Sequence, residues 1–231
     1  MVRNYSSAKV TRIVDDVSTA LKVRVGDRMC AWYERKKLRR TDFSIICNNC
    51  LAWGIYHKMG LQYTTPTVGL FFYSEDYINF LENFEYYIRQ PLKFTHTSKH
   101  PEANELRKTI RYPIGILGDD VEIQFLHYED ESEVANNWAR RTKRINFDNL
   151  FFIYGDGELF REEFLHRYQE LPFVHKIFFS SKPRRNYECV VFIRDYATAS
   201  HCGDMTRNRK YEKYLDLTKW LNGDSDFLKR S

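Results

Sequence analysis

The chain contains 231 residues, of which 43% are hydrophobic and 29% are charged, and its formal net charge at pH 7 is +5. A chain of this length can bury a substantial core, and its small basic excess is spread along the sequence, so we expect a globular protein that does not bind nucleic acid. No apolar run approaches the roughly 18 residues of a membrane span, and the polar sequence MVRNYSSAKVTR is not typical of a secretory signal, so we expect a cytoplasmic protein.

The first half of the chain is predicted to alternate helices with strands. Apolar periodicity and turn residues indicate, in chain order, a helix over 14–40, a strand over 43–47, a helix over 50–59 that ends at Gly60, a strand over 67–72 and a helix that begins at Ser74. The sequence PLKFTH indicates a short further strand, and the polar sequence TSKHPEANELRKT that follows it is expected to be a surface excursion.

The pattern changes near residue 111, where a hairpin precedes further helices and strands. The remaining predicted elements are strands over 114–117, 121–128, 148–154, 175–179 and 188–193, and helices over 131–146, 158–171 and about 207–221. Strands that alternate with helices predict an α/β protein with a mainly parallel sheet, flanked by helices, with antiparallel additions. The change of pattern predicts two sub-domains, 1–110 and 111–231.

The sequence Asn48-Asn49-Cys50 stands where the first of these strands ends and a helix begins. Ligands of open α/β sheets bind at the carboxyl ends of strands, and a helix N-terminus lowers the pKa of a nearby thiol. Cys50 is therefore a candidate nucleophile, and the two Asn side chains are candidates to bind an oxyanion or a sugar hydroxyl. The alternative is a structural junction, in which Asn caps the helix and Cys is buried.

The five cysteines are an odd number in a chain of this size, which favours reduced thiols over a disulfide framework. Cys47 and Cys50 have a C-x-x-C spacing, but no second pair and no nearby histidine pair accompanies them. The spacing therefore does not predict a metal site.

Two further candidates lie in and after the hairpin. Asp119 and Asp120 could bind a divalent cation on a nucleotide diphosphate, or one of them could act as a general base, although adjacent acids are also common turn residues. His127 falls on the face of the predicted strand 121–128 that is expected to be buried or to line a cleft. It is a candidate base, and the alternative is a hydrogen-bonded core histidine.

Basic residues suggest contacts to anions. Arg140 and Arg144 are four residues apart on a predicted helix, so they share a face and could clamp a phosphate or carboxylate. Lys182 follows a predicted strand and could contact an anionic ligand. The sequence ERKKLRR, residues 34–40, is either a solvated helix end or a surface for an anionic membrane or a phosphorylated substrate.

Several of these sequences together resemble the bacterial family known as domain of unknown function 1919. They are NNC with its following helix, YTTPTVGLFF, YPIGILGDDVEIQFLHY, WARRTKRIN and FFSSKP, within residues 40–195. The resemblance implies a role in capsule or exopolysaccharide biosynthesis, where family members are labelled as biosynthesis proteins or acetyltransferases. Its matching positions are Asn48, Asn49, Cys50, Pro66, Gly115, Asp119, Asp120, His127, Tyr128, Trp138, Arg141, Arg144, Asn146 and Lys182.

Residues and resemblance together predict a transferase that acts on a sugar hydroxyl, with O-acetyl transfer ahead of glycosyl transfer. Acetyl transfer would use acetyl-CoA, with His127 or an aspartate as the base and Cys50 as nucleophile in a covalent variant. Glycosyl transfer would use a nucleotide sugar, with Asp119 and Asp120 holding a divalent cation or the acceptor. A third hypothesis is a non-catalytic assembly factor that docks through ERKKLRR on membrane-bound polysaccharide machinery at the inner face of the membrane.

These hypotheses share one geometric expectation, which is that separate motifs converge on a single cleft. The residues expected there are Asn48, Cys50, Asp119, Asp120 and His127.

Overall fold

The fold contains two β-sheets. The structure is a computed structural model that describes residues 29, 31–157, 159–203 and 205–229. Its first sheet has four parallel strands in the spatial order β1 (Ser44–Cys47), β5 (Leu150–Gly155), β6 (Lys176–Ser180) and β7 (Val190–Phe192). Its second sheet has three antiparallel strands in the order β2 (Lys93–Thr95), β3 (Ile114–Leu117) and β4 (Val121–Gln124). The α/β class, the parallel sheet and the antiparallel additions are confirmed.

Helices surround the sheets. They are α1 (Leu51–Met59), α2 (Ser74–Glu82), α3 (Phe84–Arg89), α4 (Pro101–Leu106), α5 (Glu131–Thr142), α6 (Glu162–Glu170), α7 (Met205–Asn208) and α8 (Leu217–Leu221), with short 3-10 helices at Arg194–Tyr196 and Lys210–Lys213. Local signals set their ends: α1 stops at Gly60 with a φ of 61°, and the carboxylate of Asp130 accepts from Glu133 N at the start of α5. Within the described ranges, no helix has the length and apolarity to cross a membrane.

Several predicted elements have other bounds in the structure. Residues 31–37 of the predicted N-terminal helix are helical, but residues 14–28 and Cys30 lie outside the described residues. Residues 67–72 do not form a strand, because Gly69 turns the chain with a φ of 76°, and only Phe71 pairs with another strand. The predicted strand 121–128 ends at Gln124, and the predicted helix 207–221 is interrupted after Asn208, where Arg209 adopts a left-handed φ of 48°.

Strand pairing crosses the predicted boundary at residue 111. Ser44 of β1 pairs with Leu150 of β5, and Lys93 of β2 pairs with Ile116 of β3. Both sheets therefore take strands from either side of the boundary, and the division into 1–110 and 111–231 does not follow the pairing.

The core lies on both faces of the parallel sheet. Alternate residues of a strand point to opposite faces, so Ile46 and Phe152 join one apolar cluster with residues of α2, α3, α5 and α6. Ile45 and Phe151 join the second cluster, with residues of α1 and α8. A sheet buried on both faces explains why its strands are nearly continuous apolar runs.

Side-chain hydroxyls cover the outer edge of β1, which is the end strand of its sheet. The hydroxyl of Tyr56 accepts from Ile45 N at 3.1 Å, and that of Thr67 accepts from Cys47 N at 3.2 Å. Thr64 Oγ1 donates to Phe43 O at 2.5 Å. The backbone groups on this edge are thus paired without another strand.

A buried polar cluster joins the antiparallel sheet to α2. Asp76, which has no exposed surface, accepts from Glu122 N of β4 at 2.9 Å. Lys99 Nζ lies 2.7 Å from Asp76 Oδ1, and His100 Nε2 lies 2.5 Å from Asp76 Oδ2. The Glu122 carboxylate accepts from Ser98 Oγ and Lys99 N. Residues 98–100 belong to the sequence expected to be a surface excursion, yet Ser98 and His100 are buried here.

We predict that Asp76→Ala lowers the free energy of unfolding by about 3–5 kcal/mol, because it leaves His100 Nε2 and Glu122 N without their buried acceptor and removes the carboxylate that Lys99 pairs with. Urea denaturation measures this change. Asp119→Ala is the control, because Asp119 is exposed and its pair with Lys93 should contribute no more than about 1 kcal/mol. Equal losses in the two variants would contradict the prediction.

A second prediction concerns pH. His175 stacks on Phe151 with ring centroids 4.5 Å apart, and burial lowers its pKa from the ordinary 6.5. The unfolded chain therefore takes up a proton on His175 at a higher pH than the folded chain does. The free energy of unfolding should fall as pH decreases below about 6.5, with no such contribution above it.

His175→Phe should make that decline shallower, as measured by urea denaturation between pH 5 and pH 8. His166→Gln, at an exposed position of α6, is the control and should leave the decline unchanged. The interpretation fails if His175→Phe and the unmodified protein lose stability in parallel.

Candidate functional site

A cleft of about 870 Å³ opens at the carboxyl edge of the parallel sheet. The residues that follow β1 and β5 line it together with residues from outside the sheet. They are Asn48, Asn49, Cys50, Leu51, Trp53, residues 69–74, Leu106, Leu126, His127, residues 155–157, residues 201–203, Met205 and Thr206. Its volume lies in the range of small-molecule sites, and its position is where open α/β sheets bind ligands.

Asn48 carries a buried oxygen without a hydrogen-bond partner. Its residue is 5% exposed, and its Nδ2 lies 3.5 Å from Gly155 O, across the two strand ends. Within the described part of the chain, nothing donates to Asn48 Oδ1. Buried polar atoms are rarely left unpaired, so this acceptor on the cleft wall marks a place where a ligand can donate a hydrogen bond.

Asn49 has a structural role at the start of α1. Its Oδ1 accepts from Leu51 N at 3.0 Å and from Cys47 Sγ at 3.2 Å. The oxygen of Asn49 is therefore committed to the strand-to-helix junction, as in the structural alternative that the sequence left open.

The two cysteines of the C-x-x-C spacing have different surroundings. Burial raises the pKa of Cys47 to about 12, although backbone N–H groups of Asn49, Ala52 and Leu51 oppose the rise. The amides at the start of α1 thus face the buried sulfur of Cys47. Cys50 is half-buried on the cleft wall, and its Sγ lies 3.6 Å from Leu70 O. Of these two thiols, Cys50 is the one a ligand can reach.

His127 lines the cleft for a different reason from the one predicted. β4 ends at Gln124, so strand alternation does not set the direction of His127. The residue is exposed in the following turn, where its backbone N donates to Gly69 O at 3.2 Å. The antiparallel sheet thereby brings His127 to the cleft that Cys50 also lines.

Asp156 and His201 also line the cleft, and the sequence interpretation missed both. Asp156 is 3% exposed, and its carboxylate accepts from Ser181 N and Ser181 Oγ at 2.6 and 2.7 Å and from Cys202 N at 2.8 Å. These bonds fix the segment around His201 beside the ends of β5 and β6. The sequence Gly155-Asp156-Gly157, directly after a predicted strand, is the signal that could have found Asp156.

The tautomer of His201 follows from its backbone contact. Its Nδ1 accepts from Gly203 N at 3.0 Å, so the neutral ring carries its proton on Nε2. His201 can therefore present an N–H donor, which complements the acceptor of Asn48.

Asp119 and Asp120 lie outside the cleft, which corrects the expected convergence. Asp119 pairs with Lys93 at 3.0 Å, and Asp120 accepts from the Tyr87 hydroxyl at 2.9 Å. The acidic turn precedes β4 and His127 follows it, so the four residues of that strand, at about 3.3 Å each, separate them. The structure brings Asn48, Cys50 and His127 together and leaves the two aspartates at the other end of β4.

The predicted arginine clamp is also absent from the cleft lining. α5 ends at Thr142, so Arg144 lies beyond the helix and does not stand one turn above Arg140. Arg140 donates to Asn137 on the surface. Arg141 is buried and donates to Val68 O and to the Tyr128 hydroxyl, which is a structural contact.

Two other predicted binding residues make structural contacts away from the cleft. Asn146 Nδ2 donates to Asp42 O at 3.0 Å, next to the start of β1. Lys182 Nζ donates to Ala197 O at 2.7 Å. Among the residues that the structure describes, no three His, Cys, Asp or Glu side chains are grouped to hold a metal ion.

The chain is similar in sequence to known proteins. The family model described as "Domain of unknown function (DUF1919)" matches residues 24–222. A Haemophilus influenzae protein described as an uncharacterized protein is 30% identical over 193 residues, which are 81% of this chain and 88% of that protein. The resemblance identified over residues 40–195 is confirmed and extends further in both directions.

The cleft predicts an order of thiol reactivity. Burial raises the pKa of Cys189 to about 11, that of Cys47 to about 12 and that of Cys202 further still, whereas Cys50 is half-buried in the cleft. We expect N-ethylmaleimide at pH 7.5 to modify Cys50 first among these four, because the thiolate is the reactive form and access is required. Peptide mapping by mass spectrometry measures the order.

Cys50→Ala should abolish the early modification, and Cys189→Ala should preserve it. Faster modification of Cys189 than of Cys50 would contradict this account of the cleft.

Proposed function

We propose that this chain, which belongs to the DUF1919 family, is a transferase that acts on a sugar hydroxyl, with acetyl transfer ahead of glycosyl transfer. One observation carries the proposal: residues that bear a thiol, an imidazole and an amide oxygen without a hydrogen-bond partner in the described part of the chain line the same cleft at the carboxyl edge of the parallel sheet. These groups belong to Cys50, His127 and Asn48. They are a nucleophile, a base and a hydrogen-bond acceptor, which acyl transfer to a hydroxyl requires.

The acceptor sugar is assigned to the polar end of the cleft. A sugar hydroxyl can donate to Asn48 Oδ1, to which no described residue donates. Phe71, which is half-buried, lines the same cleft, and Trp53, which is 39% exposed, stands at its wall. Aromatic faces beside a few polar groups are the lining expected of a saccharide site.

The covalent route has two balanced steps. The thiol of Cys50 attacks the acetyl carbonyl of acetyl-CoA, and the bond to the sulfur of CoA breaks, so CoA leaves as the thiol with the proton of Cys50. The sugar hydroxyl then attacks the Cys50 thioester while His127 takes its proton. The bond to Cys50 breaks, the acetyl ester forms, and His127 returns the proton to the sulfur.

His201 suits the charge that develops in both steps. The Nε2–H of its neutral ring is a donor on the cleft wall, and a donor aimed at a developing oxyanion lowers the barrier to acyl transfer. In a direct route without a covalent intermediate, His127 would activate the sugar hydroxyl and the same donor would serve.

Glycosyl transfer is the second candidate, because the aromatic wall that contains Trp53 could also stack on the base of a nucleotide sugar. It ranks behind acetyl transfer because Asp119 and Asp120, which were to hold a cation or the acceptor, lie outside the cleft. We propose a cytoplasmic location at the inner face of the membrane, where capsular or exopolysaccharide precursors would be modified. The assembly-factor hypothesis applies if no donor binds.

The test is to incubate the purified chain with acetyl-CoA and, separately, with a panel of nucleotide sugars, and to measure thermal shift and donor turnover. We expect stabilisation and CoA release with acetyl-CoA alone, and an acetyl group on the Cys50 peptide by mass spectrometry. His127→Gln should lower the acceptor-dependent rate by about 10²–10⁴-fold. Asn48→Ala should lower kcat/KM for the acceptor by about 5–150-fold, the equivalent of one hydrogen bond to a buried group.

Asp119→Ala is the matched control and should keep full activity, because Asp119 is exposed outside the cleft. Full activity of Cys50→Ala would remove the covalent route and leave the direct one. Stabilisation by nucleotide sugars alone would reverse the order of the two candidates, and no response to any donor would overturn the transferase assignment.

A further inference from the structure

Residues 29 and 31–37 form a helix that has an exposed aromatic and basic face. Met29 is 68% exposed, Trp32 is 51% exposed and Tyr33 is 57% exposed. Lys36 and Lys37 follow one turn later and are also exposed. Spacings of three and four residues place all five side chains on the same side of the helix. We call this the outer face.

The opposite side of the helix is attached to the body of the protein. Glu34 Oε2 accepts from Thr218 Oγ1 at 2.7 Å, and Arg35 donates to Gly60 O at 3.2 Å. Arg39 N donates to Asn222 Oδ1 at 2.8 Å, and Leu38 packs on the apolar cluster beneath the parallel sheet. These contacts fix which side of the helix faces outward, so the outer face is a defined surface of the folded protein.

The two lysines lie over the two aromatic rings. Lys36 Nζ is 3.9 Å from the centre of the Trp32 ring, and Lys37 Nζ is 4.0 Å from the centre of the Tyr33 ring. Each pair combines a flat apolar ring with a cation at its surface. Trp and Tyr prefer the headgroup level of a bilayer, and Lys near the surface is attracted to anionic lipids.

We propose that the outer face docks on an anionic lipid surface. A protein partner would also explain exposed aromatic residues, but lysine is depleted from protein–protein interfaces, whereas it is enriched on the polar side of helices that lie on membranes. The outer face would hold the protein at the inner face of the membrane, the location proposed above. This docking does not depend on the transferase reaction.

Neighbouring charges indicate a modest, salt-dependent affinity. Arg39 pairs with Asp224 at 2.8 Å, and Arg40 pairs with Asp42 at 2.7 Å, so part of the basic sequence is neutralised by the protein's own acids. Lys36 and Lys37 supply the positive charge of the outer face, which is partly offset because Glu34 Oε1 lies 3.5 Å from Lys37 Nζ. Attraction of this size weakens as salt shortens the range of the interaction.

Co-sedimentation of the full chain with vesicles tests the proposal. We expect binding to vesicles of phosphatidylcholine with phosphatidylglycerol, weak binding to pure phosphatidylcholine, and loss of binding in 0.5 M NaCl. Lys36→Gln with Lys37→Gln should lower the partition coefficient by roughly tenfold or more. Trp32→Ala with Tyr33→Ala should lower it by a comparable factor, through the loss of interfacial apolar area.

Two control variants match these changes. Lys93→Gln with Lys108→Gln removes the same charge from exposed positions elsewhere, and Tyr86→Ala removes a tyrosine that is 55% exposed on α3. Both should bind vesicles like the unmodified chain, and circular dichroism of every variant checks folding. Absence of binding to anionic vesicles, or equal losses in the control variants, would overturn the proposal.

A dimer that Trp32→Ala with Tyr33→Ala dissociates, observed by analytical ultracentrifugation without lipid, would assign the outer face to a second copy and overturn the lipid proposal. Vesicle binding is measured without any donor, so its failure is distinguishable from failure of the transferase assignment.

Discussion

The parallel pairing of β1 with β5 is the constraint on which the site depends. Ser44 lies beside Leu150 and Cys47 beside Ile153, so two segments far apart in the sequence end at the same edge of one sheet. Parallel neighbours must place their carboxyl ends together. Asn48 and Cys50 therefore stand next to Gly155 and Asp156 whatever the intervening chain does. The bond from Asn48 Nδ2 to Gly155 O joins these two strand ends, and the buried Oδ1 of the same amide has no hydrogen-bond partner among the described residues.

The chain between these two strands builds the opposite wall. The antiparallel sheet and residues 69–74 come from this insertion, and Asp76 attaches them through a buried carboxylate with three partners. A buried charge is tolerated only when it is paired and hydrogen-bonded, so this cluster permits few alternative positions of β4 relative to α2. The cluster affects function indirectly. It fixes the position of β4 and therefore of His127 in the turn that follows, although none of the cluster's residues takes part in the proposed chemistry.

The periodicity of apolar residues was sufficient to predict the α/β class and most strands of the parallel sheet, because strands buried on both faces are continuous apolar runs. The Asn48-Asn49-Cys50 junction was recognised because it follows such a run. Long-range partners were not predictable in this way. The adjacent carboxylates of Asp119 and Asp120 suggest chemistry, so the sequence predicts them in the cleft. They lie in the hairpin turn before β4, however, and the cleft lies at the other end of that strand. Asp156 was missed, although it follows a strand as Asn48 does, because a single acid in a glycine turn resembles an ordinary loop.

The hydroxyl coverage of β1 has a consequence for how the protein behaves in a crowded solution. A strand at the end of a sheet normally offers a row of N–H and C=O groups to any extended chain that approaches, and the apolar sequence FSIIC would suit such an addition. The side-chain hydroxyls of Tyr56, Thr64 and Thr67 form hydrogen bonds to those backbone groups. The edge of β1 is therefore protected although this strand contains no charged residue and no proline. Intermolecular sheet growth from β1 is therefore blocked in the native state. It becomes open only when the segment that carries Thr64 and Thr67 separates from β1, so protection from self-association is tied to local unfolding of one loop.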